Sequence, residues 1–183
     1  MNREQLAHVL RAAAQIADDP NIVVIGSQAI LATYGEELLP SEATVSVEVD
    51  IAFGDDPTQS KSDQVDGAIG EGSLFHQTYA YYAQGVSVST AVLPSGWEER
   101  VVIYTRSDAE PSRARCIDAH DLVVSKLVAG REKDVDFASA LIAAKLVNVD
   151  TLLKRAELLP GPGAVRRRVS ASVIRCAGRP PQN

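Results

Sequence analysis

Two carboxylates lie two residues apart in a stretch that otherwise has the composition of a buried strand. Glu48 and Asp50 belong to ATVSVEVDIAF, residues 43–53, in which apolar and polar residues alternate. Successive side chains of a strand point to opposite faces, so both acids point the same way, about 6 to 7 Å apart along the chain. Two like charges this close repel each other unless a cation or a proton lies between them. The pair therefore predicts a ligand, and a hard divalent ion such as Mg²⁺ suits it.

A Gly-Ser pair stands upstream of these acids, between a short apolar run and a helix-like pattern. Residues 22–25, IVVI, are typical of a central strand, and residues 27–35, SQAILATYG, have helical spacing. The turn at Gly26 and Ser27 would aim backbone N–H groups and a hydroxyl above the sheet, as an anion site does. Taken alone, the dipeptide is better explained as a tight turn with a helix cap. Together with the acid pair, it favours a triphosphate beside a metal ion.

A coarse pattern of strands and helices must position these residues. Apolar residues three and four apart predict an amphipathic helix over residues 3–17. Strands are predicted over residues 75–93, with a break near Gly85, and over residues 100–105. Helices are predicted within residues 64–73 and, from Asp118 onward with a break at Gly130, within residues 118–147, 150–163 and 164–178. The chain is thus predicted to have an α/β (α+β) core, residues 1–117, and a C-terminal helical region, residues 118–183.

Composition and charge argue against a membrane-spanning protein, a disulfide-rich protein and a zinc-binding protein. The chain has 183 residues, 45% of them apolar, with no run of about 18 apolar residues, so a soluble and cytoplasmic protein is expected. Its two cysteines lack metal-ligand spacing. The net charge of −6 is unevenly distributed along the sequence. Residues 36–71 contain ten acids and one base, whereas the chain from residue 151 onward contains seven bases and one acid. The RRR run at residues 166–168 is consistent with either a solvated helix face or a phosphate-binding surface.

The order of these features resembles a known superfamily. A Gly-Ser pair after one strand and an acid-x-acid pair on the next resemble the nucleotidyltransferases related to DNA polymerase β. The segments VVIGSQAIL, SVEVDIA, GVSVSTAVLPSGWEERVV and HDLVVSKLVAGREKDVDF resemble its bacterial DUF6036 branch, which is similar to the AbiEii-type nucleotidyltransferase toxins. The resemblance covers roughly residues 5–145. It implies a polymerase β-like core with a small mixed sheet flanked by helices, and a C-terminal helical extension.

The resemblance also implies roles for individual residues. Gly26 and Ser27 would contact the triphosphate, and Glu48 and Asp50 would hold Mg²⁺ and act in catalysis. Lys126 would contact the phosphates of the nucleotide.

The residues around Gly130 add further candidates. Arg131 and Asp134 follow Lys126 within a few turns, so this junction could present cations and a carboxylate to one site. Asp134 is the predicted third catalytic acid, with Asp136 as the alternative, and Arg131 is a second predicted nucleotide contact.

The implied reaction is attack of an acceptor hydroxyl on the α-phosphate of an NTP, with metal ions lowering the pKa of the nucleophile and stabilising pyrophosphate. Resemblance to the toxins favours RNA as the acceptor, at the 3′ end of tRNA. Arg166, Arg167 and Arg168 would form the surface that binds the RNA, and an antitoxin would be the protein partner. Two alternatives stay open. The same fold could modify a small molecule or a protein, or the chain could be a catalytically degenerate nucleotide-binding or partner-binding module.

Overall fold

A five-stranded mixed sheet forms the centre of the molecule. The computed structural model describes residues 1–106 and 112–179. The sheet has the order β3-β2-β1-β5-β4. Its strands are β1 (Ile22–Val24), β2 (Glu48–Phe53), β3 (Tyr82–Gly85), β4 (Val102–Arg106) and β5 (Ser112–Cys116). The α/β fold class predicted from the sequence is therefore confirmed.

The middle of the sheet brings the predicted turn and the acid strand together. Strand β1 pairs antiparallel with β2, with Val24 opposite Ile51, and parallel with β5, with Val24 opposite Cys116. All three residues of β1 are buried, as its β-branched composition predicts for a strand covered on both faces. The chain that follows Val24 thus emerges beside the acid strand β2.

Helices flank the sheet and continue to the C-terminal region. They are α1 (Arg3–Ala17), α2 (Ser41–Thr44), α3 (Ser60–Ile69), α4 (Leu74–Tyr79), α5 (Ala119–Ala129), α6 (Glu132–Ala143), α7 (Val149–Glu157) and α8 (Gly163–Ala177). A capping box between Asn2 and Gln5 begins α1, and the Asp118 side chain caps α5 as predicted. Gly130 ends α5 in the left-handed conformation, at the predicted break.

Three predictions of secondary structure were wrong. The helix predicted after Gly26 is a 3₁₀ helix, Ser27–Ala32, and the strand predicted from residue 43 begins only at Glu48 because α2 occupies residues 41–44. The strand predicted over residues 75–93 is mostly α4, the short strand β3 and a 3₁₀ turn, Val88–Thr90. A Ser73 cap on the His76 N–H starts α4, and the aromatic run that suggested a strand packs against α1 instead.

Strand β5 was not anticipated, because its sequence SRARC has only one apolar residue before the cysteine. Ala114 and Cys116 nevertheless point into the core, while Arg113 before them is exposed and Arg115 between them is half-buried. The strand leads into α5, since the Ile117 N–H donates to the Val24 carbonyl at 3.2 Å. The predicted division of the chain at residues 117 and 118 falls at this junction and stays a prediction.

The longest described helices, α1 and α8, have 15 residues each. Within residues 1–106 and 112–179, no helix combines the length and apolar character needed to cross a membrane.

Candidate active site

A cavity of about 220 Å³ lies between the ends of β1 and β2 and the face of α5. Three groups of residues line it. The sheet contributes Ile25, Gly26 and Asp50; the segment after β3 contributes Thr90, Ala91 and Val92; and α5 with its C-terminal extension contributes Leu122, Ser125, Lys126, Val128, Ala129 and Arg131. Charged residues from sequence positions up to 81 apart thus share one opening.

The sheet register explains how Asp50 and Gly26 meet. The Ile25 N–H donates to the Asp50 carbonyl at 3.2 Å, which extends the β1–β2 ladder by one residue. Gly26 therefore lies directly against the Asp50 side chain, where a Cβ atom at position 26 would stand 1.5 Å from Oδ2. Glycine is required here by close approach rather than by a positive φ. The contact keeps the Asp50 carboxylate at the wall of the cavity.

The carboxylates of Glu48 and Asp50 repel each other in the structure, as their spacing predicts. Burial raises the pKa of Asp50 from 3.8 to about 6, the charge of Glu48 and a hydrogen bond with it act in the same direction, and Lys126 opposes them. A proton therefore persists on the pair at mildly acidic pH. A divalent cation would relieve the same repulsion near neutral pH.

Glu48 is fixed by a residue that the sequence analysis overlooked. Strands β2 and β3 run parallel with Glu48 opposite Tyr82, and the Tyr82 hydroxyl donates to Glu48 Oε2 at 2.8 Å. Burial, and then this hydrogen bond, raise the pKa of the Tyr82 hydroxyl, so it stays a donor. Glu48 does not itself line the cavity. Tyr82 thus orients the carboxylate of Glu48. The aromatic residues around Tyr82 in the sequence did not indicate this role.

Two cations face Asp50 from the other side of the cavity, held by one buried carboxylate. Lys126 Nζ lies 3.2 Å from Asp134 Oδ1, and Arg131 Nε lies 2.7 Å from Asp134 Oδ2. The Lys126 ammonium also lies over the Phe137 ring, 5.3 Å from its centre. Its side chain is 14% exposed, whereas that of Arg131 is 61% exposed, so Arg131 stands at the mouth of the cavity.

The position of Asp134 bears on its predicted role as a third acid. Its side chain is fully buried and does not line the cavity, and both of its oxygens bind cations. Burial raises its pKa, but the bonds from Arg131 and Lys126 outweigh that effect and hold the pKa below its usual value. In this geometry Asp134 positions the two cations. The alternative acid, Asp136, pairs with Arg179 at 3.1 Å on the surface.

Ser27 lies next to the cavity but does not line it. The turn is tighter than predicted, because the Ala29 N–H returns to the Gly26 carbonyl as the 3₁₀ helix begins. Gln28, fully buried, donates from Nε2 to the Ser46 carbonyl at 2.9 Å, just ahead of the acid strand. The turn is thus fastened to β2 by both the sheet and a side chain.

The three consecutive arginines of α8, residues 166–168, differ in what they contact. Arg166 donates to the Leu159 carbonyl at 2.8 Å, and Arg168 donates to the Val128 carbonyl at 2.9 Å, at the end of α5. Val128 lines the cavity, so Arg168 links α8 to its wall. Arg167 is exposed, and its side chain makes no hydrogen bond within the described part of the chain.

The donor set fits a magnesium ion bound together with a substrate. Among residues 1–106 and 112–179, no cluster of three or more His, Cys, Asp or Glu side chains could hold a metal on its own. Mg²⁺ is commonly held by one or two carboxylates, with waters and substrate phosphates completing its octahedron. Asp50 and Glu48 supply two such carboxylates.

Two further parts of the cavity escaped the sequence analysis. The Thr90–Val92 wall lies in a segment that had been predicted as strand, and Ser125 was passed over in favour of its neighbour Lys126. The signal for Ser125 was available, because it lies three residues after Leu122 and four before Ala129, on one helix face.

Comparison with known protein families gives one match. The model of DUF6036, described as a nucleotidyltransferase of unknown function, matches residues 4–159. Searches of curated proteins and of solved structures gave no match. The matched range contains every residue that lines the cavity and ends before α8.

Proposed function

We propose a nucleotidyl transfer reaction for this chain, which belongs to the DUF6036 family, with an NTP as donor and a hydroxyl group as acceptor. One observation carries the proposal: Asp50, Lys126 and Arg131 line a single cavity beside Gly26. Carboxylates opposite cations are what a metal-triphosphate complex requires, since the metal needs oxygen ligands and the phosphates need positive charge.

Asp50 and Glu48 would hold Mg²⁺ in this proposal. When bound, the ion would neutralise charge on the phosphates and lower the pKa of the attacking hydroxyl. Tyr82 orients Glu48 through the hydrogen bond to Oε2, and Gly26 leaves room for the Asp50 carboxylate. These contacts fix the carboxylates before substrate arrives, so less ordering is needed when it binds.

Lys126 and Arg131 would bind the phosphates. The acceptor oxygen forms a bond to the α-phosphorus, the bond from that phosphorus to the bridging oxygen breaks, and pyrophosphate leaves; we assign the proton of the hydroxyl to the acid pair. Asp134 keeps both cations at the cavity through its ion pairs. Because Arg131 is the more exposed cation, we assign it to the outer phosphates and Lys126 to the inner ones.

RNA is the acceptor that we favour, at the 3′ end of tRNA. Support comes from charge: α8 has exposed Arg167 and Arg175, and its Arg168 reaches Val128 at the cavity wall. The likeness to AbiEii-type toxins stays a prediction and adds an antitoxin as a further proposed partner. Growth arrest on expression, relieved by the product of an adjacent gene, tests that role.

Label transfer tests the reaction. Purified protein is incubated with Mg²⁺, each α-³²P-labelled NTP in turn and total tRNA, and the products are resolved on a denaturing gel. We expect labelled RNA from the wild type and none from the Glu48→Ala/Asp50→Ala variant or in the presence of EDTA. Absence of label with every NTP, or equal label from the double variant, would contradict transfer to RNA by this site.

The same assay separates the remaining possibilities. Label that appears on the protein or on a small molecule would identify a different acceptor for the same site. Mg²⁺-dependent NTP binding that needs Asp50, measured by calorimetry without any turnover, would identify a nucleotide-binding module.

A further inference from the structure

One face of α5 presents an uncharged polar side chain beside the cation of the proposed site. Leu122, Ser125, Lys126 and Ala129 follow one another at helical spacing, and all four line the cavity. Ser125 therefore faces the same space as Lys126. Thr90 faces that space from the segment after β3.

The hydroxyls of Ser125 and Thr90 are not used inside the protein. Neither makes a hydrogen bond within residues 1–106 and 112–179. Lys126 and Arg131, by contrast, are bound to Asp134. Serine in a helix commonly bonds back to the carbonyl four residues earlier, as Ser139 does to Val135 at 2.8 Å, so a free hydroxyl in a cavity is available to a ligand.

The rest of the wall restricts what that ligand group can be. Among the described residues that line the cavity, Asp50, Lys126 and Arg131 are charged, and Ser125 and Thr90 are the only ones with uncharged polar side chains. The others are glycine or apolar. The end of the cavity with Lys126 and Arg131 suits phosphates, because both side chains are cations. A hydroxyl next to Lys126 suits the group that follows the phosphates in a nucleotide, which is the sugar.

We propose that Ser125 and Thr90 bind the ribose hydroxyls of the nucleotide and make this site selective for ribonucleotides over 2′-deoxyribonucleotides. The proposal rests on the proposed function, since it assigns the part of the substrate that lies beyond the phosphates. A hydroxyl can both donate to and accept from the 2′-hydroxyl, and the deoxy sugar would leave it without a partner.

Calorimetry with paired nucleotides tests the selectivity. The wild type is titrated with Mg²⁺ and each of the four NTPs, and then with the 2′-deoxy counterpart of the tightest binder. We expect the ribonucleotide to bind about five to ten times more tightly, the usual effect of one neutral hydrogen bond. In Ser125→Ala and Thr90→Val the ratio of the two affinities should fall toward one. The ribonucleotide loses a hydrogen bond in these variants, whereas the deoxynucleotide has no 2′-hydroxyl to make it and keeps its affinity.

Two controls keep the outcome specific. Ser170→Ala removes a hydroxyl from α8, outside the cavity lining, and should keep the wild-type ratio. Inorganic triphosphate should bind wild type and Ser125→Ala equally, because the charged end is unchanged. Nucleotide binding with no ribose preference, or with a preference that both variants retain, would overturn the assignment of the sugar alone. No nucleotide binding by the wild type would overturn the proposed function and this assignment with it.

Discussion

The ionised carboxylate of Asp50 destabilises the fold that holds it. Its pKa is about 6 in the folded protein against an ordinary value of 3.8, so the folded state binds the proton more tightly than the unfolded state does. The free energy of unfolding therefore falls as pH rises between about 4 and about 6, and stays lower above that range. The total effect is on the order of 2 to 3 kcal/mol, from about 1.4 kcal/mol per pKa unit. The proposed Mg²⁺ site gives this destabilising residue a function, because a bound cation would offset its charge.

Substitution of Asp50 by Asn should separate stability from activity. At pH 7.5 we expect Asp50→Asn to raise the free energy of unfolding by about 2 kcal/mol, because it removes a buried charge facing Glu48. The gain should vanish near pH 4, where the wild-type carboxyl is protonated. Nucleotidyl transfer should fall by about 10³-fold or more, since the substitution removes a proposed ligand of Mg²⁺.

Urea unfolding at several pH values measures the first effect, and label transfer measures the second. Asp66→Asn, an exposed acid on α3, is the control and should keep the pH dependence of the wild type. An Asp50→Asn protein that is less stable than the wild type at pH 7.5 would contradict the destabilising role.

A methyl group at position 26 should move the Asp50 carboxylate. The added Cβ would lie 1.5 Å from Oδ2 and 2.9 Å from the Asp50 Cβ, so the carboxylate must rotate away and the backbone must also shift slightly, at a cost of about 1 to 3 kcal/mol. Gly26→Ala should therefore fold with that loss of stability and lose most of its Mg²⁺-dependent nucleotide binding. Gly54→Ala, where nothing lies within 4 Å of the new Cβ, should match the wild type in both. Equal nucleotide affinity for the two variants, measured by calorimetry, would show that the contact is dispensable.

The junction of α5 and α6 works as one unit around Asp134. Gly130 ends α5 in the left-handed conformation and Arg131 is the N-cap of α6, so only two residues separate the helices, and Lys126 lies against Asp134. Ion pairs to a fully buried carboxylate depend on both partners, because a cation left without its acid is strongly destabilising. The position of the cavity cations is thus a property of the two helices together.

Asp134→Asn should weaken both the fold and phosphate binding. We expect a loss of about 3 kcal/mol in the free energy of unfolding, and about tenfold weaker binding of triphosphate, the effect of one charge-assisted hydrogen bond. Asp136→Asn, two residues away, breaks only the exposed pair with Arg179 and should cost under about 1 kcal/mol.

Steady-state kinetics distinguish this role from that of a third catalytic acid. A positioning residue raises the KM for NTP when it is replaced, whereas a catalytic acid lowers kcat with KM unchanged. A pure kcat effect in Asp134→Asn would contradict the positioning role.

Periodicity and spacing predicted the elements in which short-range pattern decides the structure. Local rules predicted the amphipathic α1, the buried β1, the Asp118 cap and the Gly130 break. They also predicted that Glu48 and Asp50 share one face of their strand. The family resemblance supplied the link between Asp50 and Lys126, which local rules cannot give. The sequence failed where tertiary contacts override propensity: the aromatic residues of α4 read as a strand, yet Phe75 and Tyr79 stack around His8 of α1.

The acidic and basic residues are concentrated in two separate segments of the sequence, and the structure relates the basic segment to the cavity. Helix α3 and the chain around it are acidic, while α8 is basic and touches the cavity wall through Arg168. The net charge of −6 opposes general binding to nucleic acid, so any RNA must approach along the basic side. Arg131, at the mouth of the cavity, immediately precedes α6, against which α8 packs.

RNA binding should therefore depend on the exposed arginines of α8 and on salt. Arg167→Gln/Arg175→Gln should weaken tRNA binding several-fold at low salt, and it should lower the slope of log affinity against log salt concentration by about 1 to 1.5, because each phosphate contact contributes about 0.7. Arg11→Gln/Lys145→Gln changes the net charge equally, away from α8, and should keep the wild-type slope. Filter binding over a range of salt concentrations measures both. The same slope in the two double variants would show that RNA does not bind along α8.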